Sequence, residues 1–269
     1  MALLKNILRP VLGSSYQATS GVPIQLEIEF DGTNQLSLIF RAPAASSIVI
    51  FDGDGTWTVV AGNDDTNVTH SSTYVAAGTY SLYIDGDYAD ITFLTIHSPD
   101  NIATGRIDRW GSELPTLNVL GFVNQHLEGD IANLLNDEEE INFGFNNNAG
   151  LYGDIALFAG KTIIGFAIPG TGITGDFSKV CTSYSGFALI VGAKVTFDTI
   201  VTWDGSGGNI FAWNCDWTST MVDNCLISLA NGTTVGTTIK IAGTNAARTS
   251  ASDAAYAQLN AANTLEVNE

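Results

Sequence analysis

A chain of 269 residues with 28 glycines, 14% charged residues and a formal net charge of −18 can hold one or two domains with a substantial core. Its Gly, Asn, Thr and Ser content favours strands and tight turns over long helices. The acidity repels phosphate backbones and anionic lipid, which argues against nucleic-acid binding through a basic face.

The chain opens with MALLKNILRPVLGSSYQATSG, where Lys5 and Arg9 interrupt the apolar residues. A secretory signal needs an unbroken apolar run of roughly 7–15 residues, and a membrane span needs roughly 20. Neither pattern occurs, so synthesis in a cytoplasm, no signal-directed export and no membrane insertion are expected. Residues 1–21 stand apart as an N-terminal arm, extended or partly helical.

From 22 to 97 the texture changes. IQLEIEF, QLSLIF, SSIVIF, WTVV, GTYSLYI and DITFLTI alternate with DGTN, RAPAAS, DGDG, GNDDTN and AAGT. Short alternating strands between turn signals predict an antiparallel β-sandwich, with Phe51, Trp57, Tyr74, Tyr80 and Tyr83 as its large core residues. FDGDGTW (51–57) begins like a calcium loop of the EF-hand type. Trp57 then occupies the glycine position and Asn63 the place of the bidentate Glu. A hairpin turn at Asp54-Gly55 explains the stretch without a metal.

Residues 98–248 carry a beat, with ITFLTIHS at 91–98 as an earlier member. Short β-type runs start at Ile91, Leu117, Ile141, Thr162, Phe187, Asn209 and Thr238, spaced 26, 24, 21, 25, 22 and 29 residues apart. That period is close to a leucine-rich repeat, with one strand and one helical or irregular return per coil, the coils stacking into a solenoid. An Asn ladder is uneven, at Asn124, Asn147 and Asn245. Gly129-Asp130, Gly153-Asp154 and Gly175-Asp176 recur within the beat. Glycine supplies a positive φ or a close approach, and aspartate caps the short helical turn that follows. A stacked cation ladder is the competing reading of these carboxylates. Cys181, Cys215 and Cys225 form no metal or disulfide framework and are expected as buried free thiols. Residues 249–269 read as a C-terminal cap, with Ser252 as N-cap of an Ala-rich helix and TLEVNE as a last short strand.

GDGTWTVV and NVTHSSTYVAAGTYSLYIDG together resemble the PKD-like β-sandwich, with Gly53-Asp54-Gly55-Thr56 and Ala77-Gly78-Thr79-Tyr80 as the matching positions. Phe51 with an extra Asp52 replaces the family's Trp, and Ser71-Ser72 separate His70 from Thr73-Tyr74. FLTIHS with GRIDRWGS resembles the junction of bacteroidal leucine-rich-repeat surface proteins. IAGTNAARTSASDAAYAQL resembles the closing unit of phage proteins that carry such repeats. The resemblance implies a mostly β protein, with a PKD-like sandwich (22–97), a leucine-rich-repeat-like solenoid with short helical returns (98–248) and a helical cap (249–269). It also implies a virion structural protein that binds rather than catalyses. Other virion proteins would hold residues 1–21, a homotrimer would form, and a host-surface glycan or protein would be contacted. A bacterial cell-surface adhesin is the alternative, and a glycan-degrading tailspike the third reading.

Glycan hydrolysis needs two carboxylates at a set separation. Asp137, Glu138, Glu139, Glu140, Asp204 and Asp216 supply carboxylates, but NDEEE reads more simply as a solvated loop. His70, His97 and His126 fall on separate elements with no nucleophile signature. No catalytic residue, metal or cofactor is therefore expected. Trp203, Trp213 and Trp217 cluster in the later repeats, either as core or subunit contacts or as platforms that stack on sugar faces.

Overall fold

The computed structural model describes residues 24–30, 34–64, 66–74, 76–97, 102–107, 110, 114–122, 125–181, 184–203, 208–234 and 236–269. The arm 1–21, Asn124 and Asp204 lie outside the described residues. The protein is mostly β, built on two long sheets with helices towards its C-terminus.

The front half is antiparallel. Strands β1 (Ile24–Phe30), β6 (Gly78–Gly86), β3 (Ser47–Phe51) and β4 (Trp57–Ala61) pair in that order in the first sheet. Strand β2 (Asn34–Arg41) lies between β5 (Val68–Tyr74) and β7 (Phe93–His97) in the second. Alternation sends Ile24, Leu26 and Ile28 of β1 and Ile48 and Ile50 of β3 inward, with Leu36, Leu38 and Phe40 of β2 buried in the same core. Of the expected core aromatics only Tyr74 is fully buried. Trp57 is a correction. The period of two that turns Ile48, Ile50, Leu82 and Ile84 inward sends Phe51, Trp57 and Tyr83 outward.

The back half is parallel. Strands β9 (Val119–Gly121), β11 (Glu140–Gly144), β13 (Thr162–Ala167), β15 (Tyr184–Leu189), β17 (Ile210–Phe211), β18 (Thr238–Ile241) and β19 (Thr264–Val267) extend the second sheet one after another from β7. The first sheet grows in step through β8 (Ile102–Arg106), β10 (His126–Asp130), β12 (Gly150–Asp154), β14 (Gly172–Asp176) and β16 (Lys194–Thr196). Both sheets run across residue 97, since β8 pairs with β1 on one side and β10 on the other, and β7 pairs with β9. Each repeat up to β16 therefore gives two strands rather than one strand and a return. HLEGD, GLYGD and GITGD alternate a buried apolar residue (Leu127, Leu151, Ile173) with an exposed one (Glu128, Tyr152, Thr174), which suits a short strand.

The turn that follows each second-sheet strand repeats as well. Asn147 (φ 62), Gly170 (φ 70), Gly192 (φ 65), Asn214 (φ 58) and Gly243 (φ 76) each take the left-handed conformation, which glycine adopts freely and asparagine tolerates. The next residue but one or the next is a buried ladder position. Asn148, not Asn147, fills it: its amide donates to Phe122 O and its Oδ1 accepts the Leu127 N–H at 3.0 Å. Asn245 does the same for its neighbour, donating to Ala212 O at 2.6 Å and accepting from Cys215 N–H and Trp217 N–H. Cys215 holds the equivalent place one repeat earlier, with its thiol 2.9 Å from Ile190 O.

All three cysteines are buried and free. Burial pushes the Cys181 thiol up to about 12 and that of Cys215 to about 11, and raises Cys225 well above its ordinary value. Because the thiolate is the reactive form, none of the three should be labelled by an aromatic disulfide reagent at pH 8 in the native protein. All three should react in denaturant, as absorbance would count.

Helices α1 (Ser219–Asn231) and α2 (Asp253–Ala262) follow β17 and β18 as β16 follows β15, so helices succeed strands where the first sheet stops. Trp217 Nε1 donates to Val195 O of β16 at 2.8 Å and Asn224 Nδ2 to Asp198 O at 2.9 Å, which satisfies carbonyls at and beyond that edge. Among the described residues no helix is long and apolar enough to cross a membrane.

The start of α2 differs from expectation. Ser252 makes no capping bond to the helix; its hydroxyl donates to Asp223 Oδ1 of α1 at 2.5 Å. Thr249 caps the preceding 3-10 turn instead and gives its own N–H and hydroxyl to Asp223 at 3.0 and 2.5 Å. Burial would raise the Asp223 pKa, but the bonds from Ser252 and Thr249, with Arg248 nearby, outweigh it and hold the carboxyl below its ordinary value. A depressed carboxyl stabilises the fold above its unfolded pKa and loses that contribution as pH falls through the folded one. Asp223→Asn should thus flatten the acid limb of a melting-temperature profile, and Asp223→Ala should cost about 2 kcal/mol in urea unfolding at pH 7.

Candidate binding surface

Strands β10, β12 and β14 end on the three Gly-Asp pairs. Asp130 Oδ1 accepts the Ala132 N–H at 2.9 Å, Asp154 Oδ1 the Ala156 N–H at 2.9 Å, and Asp176 Oδ1 the Ser178 N–H at 3.0 Å. Each thereby caps a 3-10 turn, Ile131–Leu134, Ile155–Phe158 and Phe177–Lys179, whose Ile131, Leu134, Ile155, Phe158 and Phe177 enter the core. The glycines are at φ 129, 127 and 105. A Cβ on Gly153 would collide with Asp130 Oδ1, and one on Gly175 with Asp154 Oδ1. The carboxylate of one repeat lies against the glycine of the next. Among the described residues no group of three His, Cys, Asp or Glu side chains is placed to hold a metal ion.

Beside this corner the first sheet presents its outward face. His126 and Glu128 on β10, Tyr152 on β12, Thr174 on β14 and Lys194 on β16 are exposed. Tyr152, 52% exposed, stands in register between Asp130 and Gly172, so one flank of its ring borders a position without a side chain. The alternation within GLYGD was the available signal for this aromatic, which sequence reasoning did not single out.

The tryptophans separate. Trp203 is fully buried, with Phe197 stacked on it at 5.8 Å and Phe177 tilted at 5.5 Å. Trp217 is buried as well, beside Phe197 and bonded to Val195 O. As platforms for a ligand both are corrected: aromatic neighbours cover their faces. Trp213 alone is 40% exposed, with its ring against Gly243 and the Lys240 ammonium 5.9 Å away.

Of the carboxylates around NDEEE, Asp137, Glu139 and Glu140 are exposed, and the Lys161 ammonium donates to the backbone carbonyls of Asn136 and Glu138. Asp216 is exposed on a turn at φ 55. His97 lies on β7 and His126 on β10, two strands of different sheets.

One group of catalytic residue types does come together. Asp52 Oδ1 lies 2.9 Å from His70 Nε2 and accepts the Ser72 hydroxyl, which is itself 2.9 Å from the same Nε2. Both partners share one imidazole nitrogen, so the ring cannot relay a proton between serine and aspartate as a triad does. Asp52 and His70 are buried and Ser72 half-buried, and Tyr74 closes the group by donating to Asp52 O at 2.8 Å. Burial, reinforced by Asp52 and Asp54, raises the Tyr74 phenol pKa. Asp54 Oδ1 accepts the Thr56 N–H and hydroxyl at 2.8 and 2.6 Å. Both carboxylates of FDGDGTW are thus bonded within the fold, tying the loop to β5.

No protein-family model, curated protein or solved structure matches the chain.

Proposed function

We propose that the chain is a non-enzymatic structural protein of a phage particle, part of a tail, collar or head appendage. Residues 1–21 anchor it to other virion proteins, and its repeats face a host surface as a homo-oligomer, with a trimer as the expected order. Residues 22–97 are read as a PKD-like β-sandwich and 98–248 as a leucine-rich-repeat-like solenoid, closed by 249–269. The observation that carries this reading is the use of the conspicuous side chains. Asp130, Asp154 and Asp176 cap turns, and Trp203 and Trp217 fill the core. What solvent meets is a long two-sheet ladder with Tyr152 and Trp213 among its exposed residues. The parallel order of the back strands supports the solenoid reading, and the second strand of each repeat departs from the leucine-rich pattern. Mass spectrometry of purified particles from a lysate that contains the protein should find it in them, and its consistent absence would sink the proposal. Release of reducing sugar from host polysaccharide by the pure protein would overturn the non-enzymatic part.

A further inference from the structure

The two sheets end differently. At β16, the last strand of the first sheet, Trp217 and Asn224 reach carbonyls at and beyond the edge. At β19, the last strand of the second, pairing is with β18 alone. The Thr264 N–H donates to Thr237 O at 3.0 Å, on the β18 side. Alternation along the strand then turns the N–H and C=O of Leu265 and Val267 away from β18. Neither residue has a backbone partner on that side among the described residues. Both side chains are half-buried against the end of the core. Proline, lysine and bulges, which normally blunt a sheet edge, are absent from TLEV and its pairing.

This end carries little of the chain's charge. Residues 230–269 hold three acids, Asp253, Glu266 and Glu269, and two bases, Lys240 and Arg248, out of 28 acids and 10 Lys or Arg in the chain. Both bases are paired in place, Lys240 with Glu266 at 3.0 Å and Arg248 with Asp253 at 2.6 Å. After Asp253 the exposed residues of α2 are Ala254, Ala257, Gln258, Asn260, Ala261 and Ala262, all uncharged. A second copy that approaches by an acidic surface is repelled, whereas two copies that meet at this end bring almost no net charge together.

We propose that β19 seats the β19 strand of a second copy, antiparallel about a two-fold axis at Glu266, so that the second sheets of two chains join into one. Leu265 faces Val267 of the second copy and Val267 faces its Leu265, each pair exchanging two backbone hydrogen bonds. The same pairs cover one another's side chains at the end of the core. Glu266 meets its own counterpart, with each carboxylate held by a Lys240. Such a contact is self-complementary and closes at two chains. The proposal goes beyond the reading above, since it concerns the free protein and the end of the ladder, whatever order the anchored assembly takes.

The test uses the full chain. Light scattering after size exclusion should show a dimer whose share grows with concentration. Val267→Pro removes an outward N–H and leaves the bonds of β19 to β18, and should weaken association at least tenfold with circular dichroism unchanged. Glu266→Cys should form an intermolecular disulfide in air, because residues opposed in a non-hydrogen-bonded pair have Cα atoms about 4.5 Å apart, within disulfide reach. Thr264→Cys, two positions from the axis, should do so at least tenfold more slowly. The native thiols are buried, so each variant offers one accessible sulfur. Should Val267→Pro fail to fold, the two cysteine variants decide. A monomer at every concentration, larger rings alone, an undiminished dimer in folded Val267→Pro, or equal crosslinking of the two cysteine variants would each overturn the proposal. None of these outcomes depends on whether the protein occurs in particles.

Discussion

Gly175→Ala should destabilise the protein by about 3 kcal/mol or more, although it adds a single methyl group at a surface corner. Two costs combine. The residue is held at φ 105, where an L side chain is strained by roughly 1–2 kcal/mol. The new Cβ would also collide with Asp154 Oδ1 and stand 2.9 Å from its Cγ. If the carboxylate swings away, the Ala156 N–H loses its cap, worth about 1 kcal/mol. The second cost belongs to the pair, so it should shrink when Asp154 is already alanine. A double-mutant cycle of Gly175→Ala and Asp154→Ala in urea should give a coupling energy of about 1 kcal/mol or more. Strict additivity would mean that the aspartate of one repeat does not lean on the glycine of the next.

Trp203→Ala should cost about 3–5 kcal/mol, while Trp213→Ala should cost about 1 kcal/mol or less. The Trp203 ring is enclosed by Phe177 and Phe197, and its backbone N–H donates to Ser228 O of α1 at 3.1 Å, so truncation leaves a large cavity between the last strands and α1. Trp213 leaves no cavity because water already reaches its ring. Chemical denaturation of the two variants side by side would separate them, and equal costs would contradict the packing described here. Binding assays on Trp203 or Trp217 variants would report unfolding, whereas Trp213 and Tyr152 can be changed without that confusion.

The beat read from the sequence corresponds to the second sheet. Its runs, from ITFLTIHS to TIKIAGTN, overlap β7, β9, β11, β13, β15, β17 and β18 in their order of pairing. They were legible because each carries enough inward apolar residues for a period to stand out. The first-sheet strands were not, since β10, β12 and β14 bury one large apolar residue each and finish on Gly-Asp, which reads locally as a turn. That aspartate caps the following turn is a local matter that spacing could suggest. That it also abuts the next glycine depends on the register between repeats, which no single stretch encodes. Helix α1 had its signals, with Thr218 before it, Val222, Cys225, Leu226 and Leu229 at helical spacing and Gly232 after it, but they lie between two runs of the strand beat, where a return segment is equally consistent with them. Aromatic size pointed Trp57 inward, and the parity fixed by Ile48 and Ile50 turned it out.

The left-handed corner residues from Asn147 to Gly243 have a consequence for how such a protein can change its length. Each repeat between them returns the chain to the same corner one strand further along, a rise of about 4.8 Å. A duplication that starts and ends at equivalent corners, such as Asn147 and Gly170, restores every pairing partner and meets the same caps at both ends. Evolution can therefore lengthen or shorten this protein as one cuts a ruler, in whole graduations, without redesigning either end.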